Sequence, residues 1–262
     1  MQEFRKDQPV STVPSWHPSS TFLALIAGFL ACAVWMLYRP DQERFLVFPL
    51  VLIGFLIALC LHEFGHAIVA YRCGDTTVRE KGYLTLDPLR YTDVVYSILF
   101  PLLIMAIGGI GLPGAAVYIN HHLLRRRLDS ALVSAGGPLA TAVVLAVLML
   151  VLNYVVSPTG PQRILYAALA FLALLEVTTL VFNLIPCPGL DGWGIIEPFL
   201  PESARQAGRR FGALGPMILI VALFFVPAVN GMFWDAVYSI CAAVGLNTRM
   251  ASIGFQLFQI WH

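Results

Sequence analysis

Six apolar stretches decide what this chain can fold into. Residues 21–38, 45–71, 94–111, 131–156, 164–185 and 211–229 are each at least 18 residues long and nearly free of charge. That length suffices for a helix to cross the roughly 30 Å hydrocarbon core of a bilayer. Lipid offers no partners to backbone groups, so such runs must satisfy them internally, as helices do. Composition agrees, with 58% of residues hydrophobic and 12% charged, about half the ~25% charge of a water-facing domain. Sixteen basic against fifteen acidic side chains leave a net charge of +1, which excludes the electrostatic footprint of a nucleic-acid binder. The expected fold class is an all-α polytopic membrane protein in contact with the lipid bilayer.

The intervals between the runs are informative by their shortness. Residues 1–20 form a polar N-terminal tail, expected to be mobile, and residues 233–246 carry Asp235 and suit the interface. Every interval falls below the roughly 50 residues a domain needs, so residues 21–262 are expected to form one membrane-embedded domain with its core at 46–200. Within 72–92, Thr76-Thr77-Val78 and Tyr83-Leu84-Thr85-Leu86 flank Lys81-Gly82, a pattern that predicts a short β-hairpin. The five cysteines (Cys32, Cys60, Cys73, Cys187, Cys241) show no CxxC spacing and read as small core residues.

Chemistry enters in the second run, at His62-Glu63-Phe64-Gly65-His66. Residues i and i+4 share a helix face, so both histidines can bind one zinc ion while Glu63 serves as general base. Ionisable groups inside a membrane span are expensive and usually functional, and three lie within these five residues. A catalytic zinc takes a third protein ligand and keeps one position open. Two carboxylates compete for that role. Asp191 follows two prolines and a glycine in Asn183-Leu184-Ile185-Pro186-Cys187-Pro188-Gly189-Leu190-Asp191-Gly192, where a broken helix can turn a side chain inward. Glu176 lies mid-run, fifteen residues before Asp191 and about 22 Å away along a helix, so both cannot reach one ion. Glu176 is expected to be a buried carboxyl outside the site.

Charge separates the possible topologies. If all six runs cross, basic residues divide evenly between the two sides, and His62 and Asp191 end on opposite faces. Suppose instead that 94–111, interrupted by Pro101, Gly108, Gly109 and Gly111, dips in and returns. Arg125, Arg126, Arg127, Arg205, Arg209 and Arg210 then join Arg5, Lys6, Arg72, Arg79, Lys81 and Arg90 inside, with only Arg39, Arg44, Arg163 and Arg249 outside. Positive-inside bias favours that division, and it brings His62, His66, Gly137, Pro138 and Asp191 to one level near the cytoplasmic face. The expected architecture is therefore about five transmembrane helices, one re-entrant segment and a hairpin beside the site.

These motifs together resemble the site-2 protease family of intramembrane zinc metalloproteases, in a compact form without PDZ or CBS modules. His62 to His66 looks like its HExxH, Asn183 to Gly192 like its NxxPxPxLDG signature, and Ser134 to Thr141 like its AGPxxN segment. Residues 82–89 resemble the stretch that follows the first motif in compact members. One position departs, since Thr141 stands where the family usually has Asn. The resemblance implies one Zn2+ held by His62, His66 and Asp191, with Glu63 activating water. It also implies substrate contacts at Asn183, Pro138 and Gly137, a transmembrane protein as substrate, and room for a separate upstream protease. Two other readings stand beside it: a metal-binding receptor or transporter, and an inactive scaffold of protease shape.

Overall fold

A computed structural model describes residues 17–38, 44–91, 118–212 and 214–259, and every regular element among them is helical. In chain order these are α1 (Ser20–Tyr38), α2 (Arg44–Cys73), the single turns α3 (Thr77–Glu80) and α4 (Pro88–Tyr91), α5 (Asp129–Tyr154), α6 (Arg163–Leu184) and the short α7 (Asp191–Ile196). There follow α8 (Glu202–Phe211), α9 (Gly215–Phe225), α10 (Pro227–Val244) and α11 (Thr248–Phe258). Four of them, α1, α2, α5 and α6, are long and apolar enough to cross a membrane. The bent pairs α8–α9 and α10–α11 raise the number to at most six, a range that includes the expected five.

The centre of the bundle is α6. Its first half, Leu165 to Leu175, is apolar on every side and buried without interruption, as a helix of that kind must be. Helices α2, α5 and α11 pack against it. Phe171 sits with Phe255 and Phe258 at ring separations of 5.3 and 5.5 Å. Helix α1 buries only Phe22 and Met36, which suits a helix facing mainly lipid.

The expected hairpin at 76–86 is absent: α3 and a 3-10 turn at Tyr83–Thr85 take its place. Local capping and burial explain the difference. The Asp75 carboxylate accepts hydrogen bonds from the Thr77 backbone N–H and hydroxyl at 3.0 and 2.6 Å, an Asx arrangement that starts a turn rather than a strand. Gly82 ends that turn in the left-handed region at φ 76°. Val78, Tyr83 and Leu84 then bury together against Ala67, Ala70 and Val133, a single-sided cluster in which strand alternation has no role. Strand propensity gives way to such tertiary burial.

The segment expected to be re-entrant, 94–111, lies outside the described residues. Its flanks are visible and meet. The Arg125 N–H donates to the Cys73 carbonyl at 3.1 Å, and the Asn120 N–H to Asp75 at 2.7 Å. The end of α2 and the approach to α5 therefore stand at one end of the bundle. The start of α1 is tied to the same region, since the Ser19 N–H donates to the Thr85 carbonyl at 2.8 Å.

Candidate metal centre

Helices α2 and α5 run antiparallel and nearly touch at a pair of glycines. A Cβ built on Gly65 would lie 2.3 Å from the Gly136 carbonyl oxygen, and one on Gly136 would lie 2.5 Å from that of Gly65. Only backbone fits there, the close approach that small residues permit between membrane helices. This crossing sets His62 and His66 against the stripe Val133, Gly137, Thr141, which recurs every fourth residue along one face of α5. The His66 Nδ1–H donates to the Val133 carbonyl at 2.8 Å, so in the neutral ring Nε2 keeps its lone pair. His62 Nδ1 pairs with the Thr141 hydroxyl at 2.9 Å. Both rings thus have fixed orientations with Nε2 facing the same point, the support that metal-binding histidines ordinarily need.

Asp191 reaches that point because α6 stops early. Pro186 and Pro188 supply no N–H and cannot continue the helix, and Gly189 turns back at φ +94°. The chain then restarts at α7, whose first residue is Asp191. Gly192 and Gly194 allow this packing: a Cβ on the first would lie 2.3 Å from the Leu184 carbonyl oxygen, and on the second 2.2 Å from the Ser134 hydroxyl. Each Asp191 carboxylate oxygen faces one of the two imidazoles.

The three donors fit a zinc ion by distance and by space. His62 Nε2 and His66 Nε2 are 3.1 Å apart, and each lies 3.3 Å from an Asp191 oxygen. A tetrahedral ion with arms of about 2.0–2.1 Å sets its ligand atoms about 3.3 Å apart. Among the described residues, His62, His66 and Asp191 are the one group of three or more such side chains arranged to hold a metal. Gly137 supplies the room. A Cβ there would stand 2.2 Å from His66 Nε2 and 2.6 Å from His62 Nε2, inside the volume an ion needs. Glu63, next to His62, is buried and within electrostatic reach of His66.

The other expected residues fall in different positions. Asn183, on the last turn of α6, is buried, and its Nδ2 has no partner among the described residues. Pro138 is buried in α5 beside Gly137. Glu176 is 1% exposed and outside the metal group, as its distance along the helix requires. In the sequence Thr141 is a departure from the family's Asn, and Val133 carries no signal of its own. The fourfold spacing 133, 137, 141 was the available signal for both. His62 lies eleven residues inside the end of α2, about 16 Å at 1.5 Å per residue, so the site is sunk within the bundle.

Three relatives show what the chain is similar to. A protein of Mycolicibacterium smegmatis, named as a candidate zinc metalloprotease, Rip2, is 42% identical over 254 residues, 94% of this chain and 95% of the relative. Rip2 of Mycobacterium tuberculosis is 42% identical over 255 residues with the same coverage. YwhC of Bacillus subtilis, also named as a candidate zinc metalloprotease, is 29% identical over 205 residues, 74% of this chain and 90% of the relative. No family model matches the chain, and no solved structure matches it.

Proposed function

Because the chain belongs to the site-2 protease family of intramembrane zinc metalloproteases, we propose that His62, His66 and Asp191 hold its zinc and that Glu63 is its general base. The protein is a zinc metalloprotease embedded in the membrane, and its substrate is a membrane protein. The observation that carries the assignment is the set of three donors, all within 4.8 Å of one another, closed on one side by a glycine. A transporter reading is not favoured, since metal transport would not call for a buried carboxylate beside the first ligand.

Zinc supplies Lewis acidity, lowering the pKa of a water towards 7 and polarising the scissile carbonyl. The chain's own residues do the rest. Glu63 takes a proton from the attacking water and returns it to the departing amine. Val133 and Thr141 keep the two imidazoles in place. The substrate must present an unwound backbone, because a helix hides its carbonyls in i→i−4 bonds. Asn183 can hold that backbone, since an amide both donates and accepts and its Nδ2 has no partner among the described residues. Pro138 brings no N–H, which leaves the Ser134 carbonyl on α5 without its usual helical donor, available to the same strand. Gly137 borders both the substrate and the metal. The site opens towards the cytoplasmic face, the side that positive-inside bias assigns to Arg79 and Arg125. The deciding experiment incubates purified protein with a transmembrane test substrate and measures zinc content. Cleavage should require stoichiometric zinc and stop with a chelator; chelator-resistant cleavage would reject the reading.

A further inference from the structure

Along α6, polar groups outside the metal set form a row. Glu176, Thr179 and Asn183 are 1%, 5% and 3% exposed. Each keeps one buried atom without a hydrogen-bond partner among the described residues: Oε1 of Glu176, Oγ1 of Thr179 and Nδ2 of Asn183. With 3.6 residues per turn, the spacing i, i+3, i+7 sets them within about 60° of one another around the helix. Thr178, on the opposite side, donates to the Leu175 carbonyl at 2.8 Å, so unpaired hydroxyls are not a general property of this helix. Unpaired polar atoms in a buried setting are rare, and ordered water is a common way of satisfying them.

We propose that Glu176, Thr179 and Asn183 line an internal water track that runs from the middle of α6 to the metal centre and stores the water that hydrolysis consumes. The geometry suits water. Successive members lie one turn apart, about 5–6 Å between Cβ atoms, a gap that one water bridges. The outer end of the track reaches the site, because Asn183 precedes Leu184, whose carbonyl abuts Gly192 beside Asp191. An amide has two donor hydrogens and an acceptor, so Asn183 can hold substrate and water together. The need is physical. A substrate segment seated at the mouth of a cavity in lipid excludes bulk water, while each peptide bond cleaved consumes one molecule. Waters held behind Asn183 remain available at that moment. The inference rests on the hydrolytic reading of the metal centre.

The test uses the zinc-loaded full chain at a resolution that shows ordered solvent. Solvent peaks are expected within hydrogen-bonding distance of all three atoms. Thr179→Val keeps the shape and removes the hydroxyl. It should lose the middle peak and lower kcat by about tenfold, with KM and zinc content unchanged, and Thr179→Ser should restore both. Should Thr179→Val fail to fold, Glu176→Met is expected to lose the inner peak with the same kinetic pattern. A dry row in the wild type, or wild-type kcat in a variant that has lost its peak, overturns the proposal. A preparation that binds zinc but cleaves nothing refutes the protease reading instead, and the solvent peaks then decide the track alone.

Discussion

At the scale of single residues, Glu63 and Asp191 are both carboxylates close to the same histidines, but they should fail in opposite ways. Glu63→Gln should abolish cleavage and leave zinc bound in full, because it removes a base and no ligand. Asp191→Asn should lose zinc first, since a neutral amide replaces a carboxylate ligand poorly. Metal analysis beside a cleavage assay separates the two, and zinc loss in Glu63→Gln would move that residue into the coordination shell. Gly137 gives a sterically cleaner case. Its added methyl in Gly137→Ala would stand 2.2 Å from His66 Nε2, so the variant should contain little zinc and lose the part of its Tm that bound zinc confers. Asn183→Ala should keep both zinc and Tm while losing most cleavage. If it is destabilised and its folded fraction cleaves normally, the side chain is structural.

At the scale of elements, the metal centre depends on one helix crossing. The two histidines come from α2 and the groups that orient them from α5, so separating these helices should harm both stability and metal binding. Gly136→Val puts a branched side chain where a Cβ alone would lie 2.5 Å from the Gly65 carbonyl. Overpacking of this kind costs about 1–3 kcal/mol. A Tm lowered even in the zinc-free protein, together with weaker zinc affinity, is expected. Gly231→Ala is the control, with nothing within 4 Å of its added carbon. If Gly136→Val binds zinc normally, the crossing does not position the histidines. The 76–86 segment is a different lesson about elements. Its β-rich residues were legible, but Asp75 capping and the burial of Val78 and Leu84 on one side decided for turns.

At the scale of the whole molecule, the proposed function requires that α2, α5 and α7 bring His62, Gly137 and Asp191 to one depth. The Cys73–Arg125 backbone bond, at 3.1 Å, keeps the two flanks of the segment between α4 and α5 at one end of the bundle. Single cysteines at positions 79 and 125, labelled from either side of sealed vesicles, should therefore react from the same side, which the proposed orientation makes the cytoplasmic one. Labelling from opposite sides would put a membrane between groups that the metal centre needs together.

The sequence by itself determined the helical membrane class, because long uncharged runs admit few other solutions in lipid. It also pointed to the proposed zinc donors, because His62 and His66 share a helix face whatever surrounds them, and because Pro186 and Pro188 must end α6 before Asp191. Tertiary structure alone decided what orients those donors. Thr141 bonds His62 across 79 residues of chain, and the Val133 carbonyl bonds His66 across 67. Such partners depend on the register of two helices, which the Gly65–Gly136 contact fixes by excluding side chains. The same holds for Gly137. In the sequence it is one of two adjacent glycines in an apolar run, and only the opposing helix turns its missing side chain into space for an ion.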